Sequence, residues 1–190
     1  RKSISKSADV TQSKQFIRFF GDWQNNPQDA SKVVNADGTP RVVYHGSNQE
    51  FSVFDLQMSG KNFGEASQGF FFFTNKKSAY PNSASDYAEN ASKKEGKPTI
   101  YECYLSIKKP LRLDSKGYYD TISYFDSNYD EIFLQYFWSD CDGIIIENSN
   151  KRADDGVLYL VDDSTQIKSA TDNIGTFDKD NPDIRYSKSK

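Results

Sequence analysis

Two stretches decide how this chain is read: Tyr44-His45-Gly46-Ser47, and further along Gly69-Phe70-Phe71-Phe72-Phe73-Thr74. The residues leading into the first, Arg41-Val42-Val43-Tyr44, are β-branched and aromatic and read as a short strand. That strand delivers the single imidazole of the chain, His45, to its end. There Gly46 leaves the backbone free to approach a ligand. The second stretch is a strand opened by glycine. Its alternation sets Phe70 and Phe72 on one face, Phe71 and Phe73 on the other. Residues 79–94 then read as a helix carrying Ser85-Asp86-Tyr87-Ala88. Ser78, Ser83 or Ser85 can cap it, and Pro81 suits its first turn.

In this order the three elements resemble the nicotinamide pocket of ADP-ribosyltransferases, specifically the domains carried inside large polyvalent proteins of phages and conjugative elements. Flanking pieces carry the resemblance over nearly the whole chain: Phe19-Phe20-Gly21-Asp22-Trp23, Ser31-Lys32-Val33-Val34, Asp37-Gly38-Thr39-Pro40, Gln166-Ile167-Lys168-Ser169-Ala170 and Asp183-Ile184-Arg185-Tyr186. The resemblance implies an α+β fold of two small packed antiparallel or mixed sheets, with flanking helices around an NAD cleft. It implies transfer of one ADP-ribose from NAD, as co-substrate and without a metal, to a macromolecular acceptor, protein or nucleic acid. His45 would bond a ribose hydroxyl, which an imidazole suits because it both donates and accepts. Gly46 and Ser47 would hold the carboxamide end. Phe72, Phe73 and Tyr87 would wall the nicotinamide, with Phe72 standing where the family more often has Tyr. The setting is then a mobile-element protein at work in a bacterial cytoplasm.

The chain departs from the pattern at one place. These enzymes stabilise an oxocarbenium-like state with a glutamate eight residues ahead of the Gln-Ile motif, and that position is Leu158. Asp155 lies three residues upstream, roughly 10 Å away along an extended strand. Asp154 is further still. Glu147, after Ile144-Ile145-Ile146, could reach in from a neighbouring strand. Loss of such an electrostatic partner costs on the order of 10²–10³ in rate. The expected catalytic set is therefore His45 with Asp155, and Gln166 on the acceptor side. The alternative is a module that binds NAD or a relative without efficient turnover.

Bulk properties agree with one domain. The chain has 190 residues, 15% of them aromatic, with 14 Phe and 12 Tyr against one Met, which favours sheet over helix bundle. A net charge of −3 provides no global field for nucleic acid. A related RNA phosphate-transfer activity would need clustered Arg and His, yet only Arg41 stands near His45. Cys103 and Cys141 have no metal-ligand spacing and read as reduced thiols. No run of 18 apolar residues exists, so no membrane partner is expected. The divisions expected are a flexible leader at 1–13, the domain at 14–171, and a polar tail at 172–190 packing partly on it.

Element by element, 13–23 reads as an amphipathic helix stopped near Gly21. Residues 31–34 and 41–44 read as strands about an Asp37-Gly38 turn. Phe51, Val53 and Phe54 form an apolar anchor, and 57–68 a loop suited to a flap. Residues 99–107, 144–146 and 157–161 read as strands, and 127–138 as a helix.

Overall fold

The computed structural model describes residues 10–58, 69–77, 83–93, 95–116, 118–149 and 156–185. Helix α1, Lys14–Phe20, starts where the Ser13 hydroxyl accepts the Phe16 amide at 3.1 Å, and ends at Gly21, whose φ of 101° only glycine adopts without strain. Its apolar stripe, Phe16, Phe19 and Phe20, is buried against Tyr104 and Phe177. Each such ring removed from water contributes about 1.5–3 kcal/mol.

The strands are β1 (Val43–Ser47), β2 (Phe70–Phe73), β3 (Thr99–Leu105), β4 (Pro110–Asp114), β5 (Gly143–Glu147), β6 (Leu158–Val161) and β7 (Ile167–Ser169). Helix α2 is Ala84–Ser92, and α3 (Thr121–Ser127) and α4 (Tyr129–Phe137) lie between β4 and β5. Among the described residues the strands form one sheet in the order β4-β5-β6-β2-β1-β3-β7. Among these strands only β4 and β5 run parallel, joined by the crossover through α3 and α4 that a parallel pair needs. The middle strands β2, β5 and β6 are almost wholly apolar because both faces of the sheet are covered.

This corrects the expectation of two separate small sheets, though the join is slight. Strand β1 pairs with β3 at five positions, Val43↔Cys103 through Ser47↔Thr99, but meets β2 only at Tyr44↔Phe73. A four-stranded leaf, β4-β5-β6-β2, and a three-stranded leaf, β1-β3-β7, therefore share a single-residue seam.

Other expectations shift for local reasons. The hairpin expected at 31–44 shrinks to one bridge, Val34↔Pro40, since Asp37 turns its carboxylate back on Thr39 and Pro40 can donate nothing to a ladder. The helix expected at 79–94 is ordered as Ala84–Ser92, with 78–82 and 94 outside the described residues. Ser83 and Asp86 form its capping box. The leader's residues 1–9 and the flap's residues 59–68 also lie outside. Strand β4 and helix α3 were not anticipated. Polar residues 172–185 are tied down: Ser169 donates to the Ile184 carbonyl, Ile184 donates to Ser52, and Val53 bridges Asp183. Phe177 and Ile184 are buried there.

Candidate active site

Strand alternation sends His45 to the face of Val43, and Tyr44 and Gly46 to the other. On the first face the imidazole lies among four rings: Phe54 at 5.0 Å, Phe72 at 5.4 Å, Tyr101 at 6.3 Å and Phe51 at 6.4 Å between centroids. Tyr101 is its cross-strand partner on β3. The Tyr101 hydroxyl accepts the Phe51 amide at 2.6 Å and donates to the Gln49 carbonyl at 3.1 Å, while its ring stacks on Phe51 at 4.4 Å. Residues 49–54 are thereby fastened down as a roof over the imidazole.

His45 Nδ1 sits 2.7 Å from the Phe71 carbonyl oxygen. A carbonyl only accepts, so in the neutral ring Nδ1 carries the proton and Nε2 presents a lone pair. The bond crosses the seam next to the Tyr44↔Phe73 pair. The ring thus spans the place where the ladder between β1 and β2 gives out. Burial against the rings pulls the His45 pKa down to about 4, with the Phe71 carbonyl opposing, so the side chain is neutral at pH 7.

Gly46 faces α2. A Cβ there would fall well inside contact distance of the Ala84 carbonyl oxygen and 2.8 Å from the Ala88 amide nitrogen, so the helix seats only on glycine. The Ser47 hydroxyl accepts the Gln49 amide at 3.2 Å and turns the chain out of β1. Phe72 shares the His45 face and is fully buried.

Phe73 and Tyr87 stack on one another at 5.0 Å on the opposite face, under α2. Tyr87 is therefore not brought beside His45 as the resemblance implied. Alternation along β2 separates Phe72 from Phe73, and α2 follows Phe73. Burial, with Asp126, Asp120 and Asp86 nearby, drives the Tyr87 phenol well above its ordinary pKa.

Leu158 stands on that second face, fully buried and paired with Phe73 and Ile146. Its own side chain points away from the imidazole's side of the sheet. Asp154 and Asp155 lie outside the described residues. Glu147 is exposed and ion-paired to Arg112 at 2.9 Å, three strand spacings from β1, or roughly 14 Å. It is not gathered with His45. Gln166 spends its side-chain amide on the Ser106 and Asp142 carbonyls at 2.8 and 2.6 Å, fastening β7 to the turns flanking β4 and β5.

Sequence reasoning missed Tyr101 and took Phe51 and Phe54 only as an apolar anchor. Their spacing after Gly46-Ser47 was the available signal; nothing in the sequence marked Tyr101. Cys103 is buried with its thiol pushed up in pKa, and both cysteines are free. Among the described residues no group of three His, Cys, Asp or Glu side chains could hold a metal, and no helix is long and apolar enough to cross a membrane.

The family described as ADP-ribosyltransferase in polyvalent proteins matches residues 35–177, well over half of the chain and spanning β1 through β7. The chain belongs to this family, and its domain is an ADP-ribosyltransferase domain. No curated protein and no solved structure matches it.

Proposed function

We propose that the domain transfers ADP-ribose from NAD to a macromolecular acceptor, with the nicotinamide nucleoside held at the seam between β1 and β2. The observation that carries this is His45: a neutral ring whose Nδ1 proton is committed to Phe71, leaving Nε2 to accept a hydrogen bond from a ribose hydroxyl. Phe72, fully buried, would back the pocket behind the base on the His45 face, and the Gly46 and Ser47 backbone would meet the carboxamide. Phe73 and Tyr87 would support the seam from beneath α2. In the reaction the bond between nicotinamide and ribose C1′ breaks, nicotinamide leaves with the bonding pair, the acceptor's lone pair forms the new bond to C1′, and the acceptor's proton passes to solvent. We assign the carboxylate opposing the developing positive charge to Asp155, and place Gln166 on the acceptor side. The setting we infer is the bacterial cytoplasm, in a phage or mobile-element effector.

A second reading is favoured by Leu158: binding of NAD without efficient turnover, because the family's acid position is apolar and faces away from the imidazole. The test is release of labelled nicotinamide from NAD. Turnover lost in His45→Ala and in Asp155→Asn supports transfer. Turnover lost in His45→Ala but kept in Asp155→Asn moves the acid elsewhere. NAD binding without nicotinamide release selects the second reading. Absence of binding rejects both.

A further inference from the structure

Away from the seam, α4 presents an anomaly. Its inner stripe, Ile132, Phe133 and Tyr136, is buried against the sheet, as an amphipathic helix should be. Its outer side and C-cap nevertheless carry Leu134 at 61%, Phe137 at 65% and Trp138 at 85% exposure. Three large apolar side chains within five residues form a contiguous patch, of the kind that marks an interaction site on a soluble domain. Aromatic anchors of this sort dominate binding energy where they are covered.

The patch adjoins a groove of about 560 Å³ whose lining includes Tyr136, Phe137, Cys141, Asp142, Asp162 and Asp163. Its charge is predominantly negative, with three aspartates in the lining against the single cation Lys108. Asp142 is committed to the Lys108 and Lys109 amides, and Lys109 is paired with the exposed Asp140. Among the described residues Asp162 accepts through Oδ1 from the Tyr136 hydroxyl and Asp163 through Oδ1 from Thr165, with the buried Lys168 interacting with Asp163 from behind. Asp130 and Glu131 stand exposed at the start of α4. Such a field repels phosphate backbones and anionic lipid, and attracts cationic polypeptide.

The geometry points to this surface as a docking site for a cationic protein segment bearing at least one large apolar side chain. The apolar residue would seat against Phe137 and Trp138, and Lys or Arg side chains would reach the carboxylates of Asp162 and Asp163. The inference stands on the surface itself and not on the chemistry proposed above, so its test needs no NAD.

The probe is a fluorescein-labelled lysine/leucine peptide titrated with the full 190-residue chain, with a glutamate/leucine peptide of the same length as control. Expected is saturable binding of the basic peptide only. Both Phe137→Ser/Trp138→Ser and Asp162→Asn/Asp163→Asn should weaken it at least about tenfold, as loss of an anchor does. Asparagine keeps the hydrogen-bond acceptors both aspartates use, and Phe137 and Trp138 are exposed, so circular dichroism should stay unchanged. Equal binding of the acidic peptide overturns the proposal, as does binding indifferent to both double variants. Direct binding of labelled duplex DNA or anionic vesicles to the protein, with no peptide added and lost in Phe137→Ser/Trp138→Ser, overturns it in favour of those ligands. Sedimentation showing self-association through Trp138, with no peptide binding, overturns it in favour of a second copy.

Discussion

The two faces of β1 behave as opposites. On one, His45 sits under a roof of Phe51 and Phe54 with its two nitrogens differentiated by the Phe71 carbonyl. On the other, Gly46 is pressed against α2, which carries a shielded Tyr87, and the neighbouring strands supply Phe73 and Leu158. The first face keeps a polar group within an apolar setting; the second is packing throughout. A residue's position in a motif therefore says less about its chemistry than the parity that assigns it to a face. Leu158 and His45 are expected to cooperate from family spacing, yet alternation sets their side chains apart.

Three changes probe that contrast. Leu158→Glu introduces the family's acid into a fully buried apolar site and should destabilise the fold by about 4 kcal/mol in chemical denaturation, without creating NAD cleavage. Gain of cleavage with little loss of stability would show that position 158 does reach the imidazole's side, and the contrast would fail. Gly46→Ala should cost about 3 kcal/mol, because the new methyl meets helix backbone that has no room to yield. A variant as stable as the parent would mean α2 is not seated on β1.

The smallest effect is read on the other face. The folded pKa of His45, about 4, lies below the ordinary 6.5, so folding favours the neutral ring. The stability this confers is complete above about pH 6.5 and declines as the pH falls towards 4. It amounts to about 2 kcal/mol once solvent reaching part of the ring is allowed for. Because the chain has a single histidine, its ring resonances titrate without ambiguity in NMR. A midpoint at or above 6 contradicts the buried, Nδ1-protonated ring. Tyr101→Phe, which removes both hydroxyl bonds holding the roof, should move the midpoint upward.

Much of this was legible in the chain. The first helix with its glycine stop at 21 and the apolar runs at 70–73, 144–146 and 157–161 report their own structure, since each is decided by neighbours close in sequence. Strand β4 was hidden because Pro110 reads as a terminator; it opens an edge strand instead, where a missing donor faces no partner. The division of the site between faces was partly legible, as alternation already separated Phe72 from Phe73. Which face received Tyr87 depended on how α2 docks, and that is fixed by the fit of Gly46 to Ala84 and Ala88, a contact between segments some forty residues apart. The roof depended on Tyr101 meeting Phe51 across fifty residues, which no local pattern encodes.

The way residues 169–184 are anchored has an effect beyond holding the C-terminal segment in place. Through Ser52 and Val53 this strap shares backbone with the lid over the imidazole. Proteolytic nicking at the exposed Asp180, far from the seam in sequence, would therefore slacken the covering of His45 and let water at its ring. Protease sensitivity and imidazole titration should then change together.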